Sequence, residues 1–216
     1  MVRRVFIIDS NAQYVSMFEE HNDYTVVGAY DEADLIQFTG GSDVTPSYYG
    51  EKAHPTTYNN PARDEEESII FRQAFLRNTP IAGICRGGQF LHVMNGGKMY
   101  QNVDGHCRDH KVLDIQTDRM YTVSSVHHQM MRDAYVEDGS VSKVLAVAEN
   151  VSGYKECMEG GMVVRKQAKF HSYDLEAIFY PLTRSLCFQP HPEFSGVEEC
   201  RELYFRYLDD HIFNTE

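Results

Sequence analysis

Short apolar runs alternate with stretches in which apolar residues recur every three or four positions. Val5-Phe6-Ile7-Ile8 reads as a strand and Asn11 to His21 as a helix. Thr25 to Gly28 and Leu35 to Phe38 read as strands, the second running into Thr39-Gly40-Gly41. Asn60-Pro61 is a helix start, with a side-chain cap followed by proline at the first helical position. Ile69, Ile70, Ala74 and Leu76 carry that helix to Asn78, and Pro80 stops it. Ile81 to Ile84 then predicts a buried strand, with a short helix from Gly88 to Asn95.

The second half has a different rhythm. Val112 to Gln116, Tyr121 to Val126, Val144 to Ala148, Leu175 to Tyr180 and Leu186 to Gln189 predict strands with fewer helices between them. Residues 149–170 lack a clear period and read as a loop or hairpin excursion. Val197 to Ile212 predicts a C-terminal helix. Strand and helix in alternation give an α/β fold, with a mostly parallel central sheet, helices on both faces and some antiparallel strands in the second half.

Composition narrows the class. A chain of 216 residues, 42% hydrophobic and 24% charged, suits one domain spanning 1–216. A net charge of −12 without a Lys/Arg cluster speaks against nucleic acid as a partner. No apolar run reaches the roughly 18 residues of a membrane span, and no signal-peptide core is present, which leads to a cytoplasmic expectation. The five cysteines then read as reduced thiols, since no two form a CxxC pair. Cys107 with His106 and His110 lacks a fourth ligand at a metal-binding spacing, so no metal is expected.

One cysteine stands apart. Gly83-Ile84-Cys85-Arg86-Gly87 follows an apolar strand, the pattern of a nucleophile on a strained strand-to-helix turn. The helix that follows favours a thiolate, and the N–H of Arg86 is placed to donate to an oxyanion. A buried structural cysteine beside a glycine turn is the alternative. Downstream, the strand Leu186 to Phe188 ends in Gln189-Pro190-His191-Pro192-Glu193. Two prolines present His191 at a strand end, and Glu193 is close enough to orient its ring: nucleophile, base and orienter.

GICRGGQ (83–89) and QPHPE (189–193) together resemble the class I glutamine amidotransferase superfamily. FTGGSDVTPSYYGE (38–51), RDEEE (63–67), NGGKMYQNV (95–103), SSVHHQMM (124–131) and YDLEAI (173–178) agree with it, in the family's order. The resemblance implies a flavodoxin-like fold and hydrolysis of a γ-glutamyl amide through a thioester, with no cofactor. It makes Cys85 the nucleophile, His191 the general base and acid, and Glu193 the orienting carboxylate. The oxyanion hole would be the N–H groups of Gly41 and Arg86. Gln89 matches a substrate-contacting glutamine, and Ser125, His127, His128 and Gln129 match a segment near the glutamyl group. For those four, loop packing is the competing role.

Arg86, the 39–51 loop and the His127-His128-Gln129 segment look more like the peptidase C26 γ-glutamyl hydrolases. IIDSNAQYVSMF (7–18) looks more like the glutaminase domains of synthetases. The expected substrate is therefore glutamine or a small γ-glutamyl amine. A glutaminase subunit serving a separate synthetase partner is the alternative, and a silent binding scaffold is a third. A homo-oligomer stays open. His92 departs from the asparagine usual in the hydrolase subgroup.

Overall fold

The computed structural model describes residues 2–132, 141–149, 151–167 and 173–214. In chain order the elements are β1 (Arg3–Ile7), α1 (Ala12–Glu19), β2 (Tyr24–Val26), β3 (Leu35–Phe38), α2 (Pro61–Leu76), β4 (Ile81–Ile84) and α3 (Arg86–Met94). Then come β5 (Lys98–Tyr100), β6 (Asn102–Val103), β7 (His110–Asp114), β8 (Arg119–Val123), β9 (Met130–Arg132) and β10 (Lys143–Glu149). The chain closes with β11 (Tyr154–Glu159), β12 (Met162–Gln167), β13 (Tyr173–Tyr180), β14 (Ser185–Phe188) and α4 (Glu198–Tyr207). Directly after α4 the helix continues in wider π-type turns, over Leu208–Phe213.

A nine-stranded sheet runs β2-β1-β3-β4-β14-β13-β10-β7-β8. Its first five strands are mutually parallel, and from β13 onward each strand is antiparallel to its neighbour. The expected α/β class with an antiparallel second half is what the chain adopts. Strands β3, β4 and β14 are buried at every residue, as parallel strands covered on both faces must be. One face packs on Tyr14, Met17 and Phe18 of α1 and Leu203, Tyr204 and Tyr207 of α4. The other packs on Phe71 and Ala74 of α2 and Phe90, Leu91 and Val93 of α3.

Local chemistry sets the helix starts. The Asn11 side chain accepts the N–H groups of Gln13 and Tyr14, and Asn60 accepts that of Arg63 ahead of Pro61. α3 begins at Arg86, two residues before the predicted start, because the chain turns from strand to helix within one residue. The excursion is a hairpin: β11 and β12 pair antiparallel from Tyr154↔Gln167 to Glu159↔Met162, and β6 joins their edge. Its residues 150 and 168–170 lie outside the described ones. The short strands β5, β6 and β9 have no counterpart in the hydropathy pattern.

The turn into α3 tolerates no side chain at Gly87, where a Cβ would sit 2.5 Å from the Phe38 carbonyl oxygen. Gly87→Ala should therefore cost at least the 1–3 kcal/mol typical of overpacking, about that much or more in a urea unfolding curve. An unchanged midpoint would contradict this packing.

Candidate active site

The topology brings distant segments to one end of the parallel strands. β4 lies between β3 and β14, with Gly83 opposite Phe38 on one side and Cys187 on the other. Cys85 follows β4, the Thr39-Gly40-Gly41 turn follows β3, and Gln189-Pro190-His191 follows β14. The Cys85 N–H donates to the Phe188 carbonyl at 2.8 Å, locking the cysteine beside the strand that delivers the histidine. Cys85 has φ of 52°, ψ of −114°, outside the regions a non-glycine residue prefers. Such strain, of order 1–3 kcal/mol, persists only where the surroundings enforce it.

His191 Nδ1 lies 2.7 Å from Glu193 Oε1, and both side chains are buried. Its N–H donates to the Ser124 carbonyl, and its own carbonyl accepts the Ser124 hydroxyl at 2.6 Å. Phe194 stacks on the ring at 4.5 Å. Nε2 is buried without a conventional hydrogen-bond partner, facing the side occupied by Cys85. Burial alone favours the neutral imidazole. The adjacent Cys85 and the Glu193 carboxylate overcome it and raise the His191 pKa to about 10. By contrast, burial pushes the Cys157 and Cys187 thiols up, and that of Cys200 up to about 12, which makes them inert.

An ion network holds the elbow. The Arg86 side chain, buried, reaches Glu67 and Asp64 with its two terminal nitrogens. Glu67 also accepts from Arg63 Nε at 2.8 Å, and Asp64 accepts the Thr45 N–H at 2.8 Å. Arg63 then donates to the carbonyls of Gly40 (3.0 Å) and Thr39 (3.1 Å). Its guanidinium lies where a Cβ at Gly41, whose φ is +141°, would fall. Only a glycine leaves room for this clamp. From the sequence the four acids after Arg63 read as a solvated helix start, with Arg63 and Asp64 tying the helix to the loop. Glu65 and Glu66 are exposed, but Asp64 and Glu67 are buried partners of arginine.

Beside Cys85 lies a pocket of about 180 Å³, lined by residues that include Gly41, Arg86, Gln89, His127, His128 and Gln129. Gln89 Nε2 donates to the Gln129 carbonyl (2.9 Å) and to Gln189 Oε1 (3.1 Å). His127 Nδ1 donates to the same carbonyl at 2.8 Å, while burial holds its pKa well below the usual value, so the ring is neutral. His128, half-exposed, lies 3.2 Å from Asp43, which raises its pKa. Ser125 sits behind this wall, its hydroxyl donating to the His106 carbonyl at 2.7 Å. Cys107 is exposed, whereas His106 and His110 converge instead on Glu176.

Sequence reasoning passed over three groups here. Tyr14 accepts the Gly40 N–H at 2.9 Å, and burial together with the Glu193 charge keeps its hydroxyl protonated. Asp43 and Tyr58 line the pocket, tied by the Asp43 N–H donating to the Tyr58 carbonyl at 2.9 Å and the Tyr58 N–H donating to Asp43 Oδ2 at 2.7 Å. Tyr14 falls inside the amino-terminal motif 7–18, the one signal that pointed to it.

The family model described as Peptidase C26 matches residues 5–158. The chain belongs to the peptidase C26 family. It stands in the class I glutamine amidotransferase-like superfamily. A glutamine amidotransferase-like protein, the YvdE homolog of Lactococcus lactis subsp. cremoris, is 33% identical over 121 residues, covering 46% of this chain and 64% of that protein. Protein NtpR of Enterococcus hirae is 28% identical over 153 residues, 56% of this chain and 64% of its own length. The C26 chain thus spans less than two thirds of these relatives. In fold it matches a glutamine amidotransferase from Thermotoga maritima with a TM-score of 0.57 at 14% identity, covering 97% of this chain and 85% of that one. PurLQS from the same organism matches at 0.53 and 16% identity, over 97% and 99%. Among the described residues, no helix is long and apolar enough to cross a membrane.

Two outcomes follow from the site. Arg86→Leu leaves Asp64 and Glu67 buried with less positive charge and should cost about 3–5 kcal/mol in chemical unfolding. Adding Asp64→Leu should restore part of it, and a loss below about 1 kcal/mol for the single variant would contradict the network. The second concerns pH. The His191 pKa is raised from 6.5 to about 10, so its charged form stabilises the fold fully below pH 6.5 and loses that effect as pH rises through about 10. The stability difference between the wild type and His191→Gln should accordingly shrink between pH 6.5 and 10. A constant difference across that window would show that the ring is not charged.

Proposed function

We propose that this C26 protein is a cysteine hydrolase of γ-glutamyl amides, acting on glutamine or a small γ-glutamyl amine, and that residues 1–216 work as one domain. The reading rests chiefly on one observation: a strained Cys85 meets the buried His191–Glu193 pair beside a small pocket lined by Gln89 and Gln129. The opposed charges of Asp43 and His128 at that pocket suit the zwitterionic α-carbon of a glutamyl group. Its volume suits a side-chain amide better than a polypeptide.

In this mechanism the Cys85 thiolate attacks the γ-carbonyl carbon. The N–H groups of Gly41 and Arg86 stabilise the oxyanion. His191 gives its proton to the departing ammonia or amine as the C–N bond breaks, leaving a glutamyl thioester on Cys85. The now neutral His191 takes a proton from water, the hydroxide adds to the thioester, and glutamate leaves as the thiolate returns. Glu193 orients the ring in both steps.

A glutaminase subunit delivering ammonia to a synthetase is the second reading, favoured by the amino-terminal motif around Tyr14 and its place beside Gly40. Incubation with glutamine and a panel of γ-glutamyl amines, with glutamate and ammonia quantified, separates the two. The hydrolase reading expects turnover by the isolated chain, falling by about 10³-fold or more in Cys85→Ala. Activity only on glutamine, and only with a co-purified partner, favours the subunit. No glutamate release under either condition, with Cys85 unreactive to a glutamine-analogue electrophile, would sink both.

A further inference from the structure

Behind the pocket wall lies a second cluster that the hydrolysis does not use. His106, just ahead of β7, His110 at the start of β7 and Glu176 on β13 bring one ligand atom each within 4.8 Å of one another. His106 and Glu176 are fully buried, and the His110 side chain is 7% exposed. His106 Nδ1 faces Glu176 Oε1 at 3.4 Å, and His110 Nε2 lies 3.2 Å from the same oxygen. Four donors around a zinc ion at 2.0–2.1 Å stand about 3.3 Å apart, so both separations match edges of such a tetrahedron.

The opposite side of each ring is already engaged. His106 Nε2 lies 2.9 Å from Asp174 Oδ2, and that carboxylate is itself held by the Ser152 N–H (3.0 Å), the Ser152 hydroxyl (2.8 Å) and Lys155. His110 Nδ1 lies 3.3 Å from the Arg108 carbonyl. A histidine that donates one N–H to a carboxylate or carbonyl turns the other nitrogen out as a bare lone pair, the arrangement of metal-bound imidazoles. With Nε2–H on Asp174, the Nδ1 lone pair of His106 points at a carboxylate oxygen. Neither His106 Nδ1 nor Glu176 Oε2 has a hydrogen-bond partner, although both are buried. His106 Nδ1 faces Glu176 Oε1, which His110 Nε2 also approaches, and a cation held among the three would satisfy a dry interior that otherwise leaves Nδ1 and Oε2 bare.

We propose that His106 Nδ1, His110 Nε2 and Glu176 bind a divalent transition-metal ion, with Zn²⁺ best suited to two imidazoles and a carboxylate. Its role is structural, and no step of the proposed hydrolysis passes through it. The His106 carbonyl accepts the His127 N–H (3.1 Å) and the Ser125 hydroxyl (2.7 Å). The His106 ring lies against that of His127, with centroids 4.6 Å apart. An ion on His106 therefore braces the loop that forms the pocket wall. It also ties the start of β7 to β13 across β10, which runs between them.

The test uses untagged protein stripped with a chelator and titrated with Zn²⁺, and separately with Co²⁺ as a visible reporter. One equivalent per chain, a Co²⁺ absorption typical of four-coordinate nitrogen and oxygen ligation, and a raised Tm are expected. His110→Gln and Glu176→Gln should each bind at least tenfold more weakly, and Asp174→Asn about 10–100-fold more weakly. Cys107→Ser should bind as the wild type does. Absence of stoichiometric uptake by the folded wild type would overturn the proposal and leave a proton in place of the ion. A Co²⁺ spectrum with a thiolate charge-transfer band would overturn it too. Because the readout is metal binding, the result does not depend on whether γ-glutamyl hydrolysis is found.

Discussion

The geometry of the site depends on one buried guanidinium. Arg86 is the first residue of α3, and its side chain passes under the turn to Asp64 and Glu67 on α2. Through Glu67 it is coupled to Arg63, and through Arg63 to the carbonyls of Thr39 and Gly40. One network thus fixes both halves of the proposed oxyanion hole relative to the cysteine between them. Buried ion pairs add little net stability over apolar packing, because desolvation offsets their attraction. Their use here is positional. In the proposed mechanism the backbone of Arg86 serves the oxyanion, and its side chain ensures that the backbone stays where it can.

Positioning of that kind also explains how the strained cysteine survives. A residue at φ of 52° would relax if α3 could slide. It cannot, since Gly87 packs against the Phe38 backbone, and the Cys85 N–H is held by Phe188. The strain, the close helix–strand approach and the buried ions are three parts of one constraint, which aims a thiol at the ends of β3 and β14.

Much of this was legible in the chain. Ile81–Ile84 and Leu35–Phe38 emerge with their predicted bounds, because continuous apolar runs flanked by proline or glycine have little else to become. Cys85, His191 and Glu193 were legible as a set, since each motif carries its own backbone punctuation. What escaped depends on tertiary pairing. β5 and β9 are three residues each and exist through each other, from Lys98↔Arg132 to Tyr100↔Met130. His92, the departure from the hydrolase subgroup, braces them, with Nδ1 at 2.7 Å from the Tyr180 hydroxyl and Nε2 near the carbonyls of Lys98 and Arg132. Likewise Glu67 looked solvated because local sequence shows its exposed neighbours and not the arginine arriving from α3.

His106 and His110 teach the same point from the opposite direction. Read along the chain, they sit beside Cys107, and the trio lacks a fourth ligand. In the fold the cysteine turns outward and Glu176 arrives from a strand more than sixty residues away, two places over in the sheet. Spacing rules find metal sites built on one turn or hairpin, where the ligands share a local segment. They do not reach a proposed site whose carboxylate comes across a sheet, because hydrophobic alternation records only that Glu176 interrupts an inward-facing run. A buried charge in such a run needs a counter-charge, and the strand pattern alone already says that much.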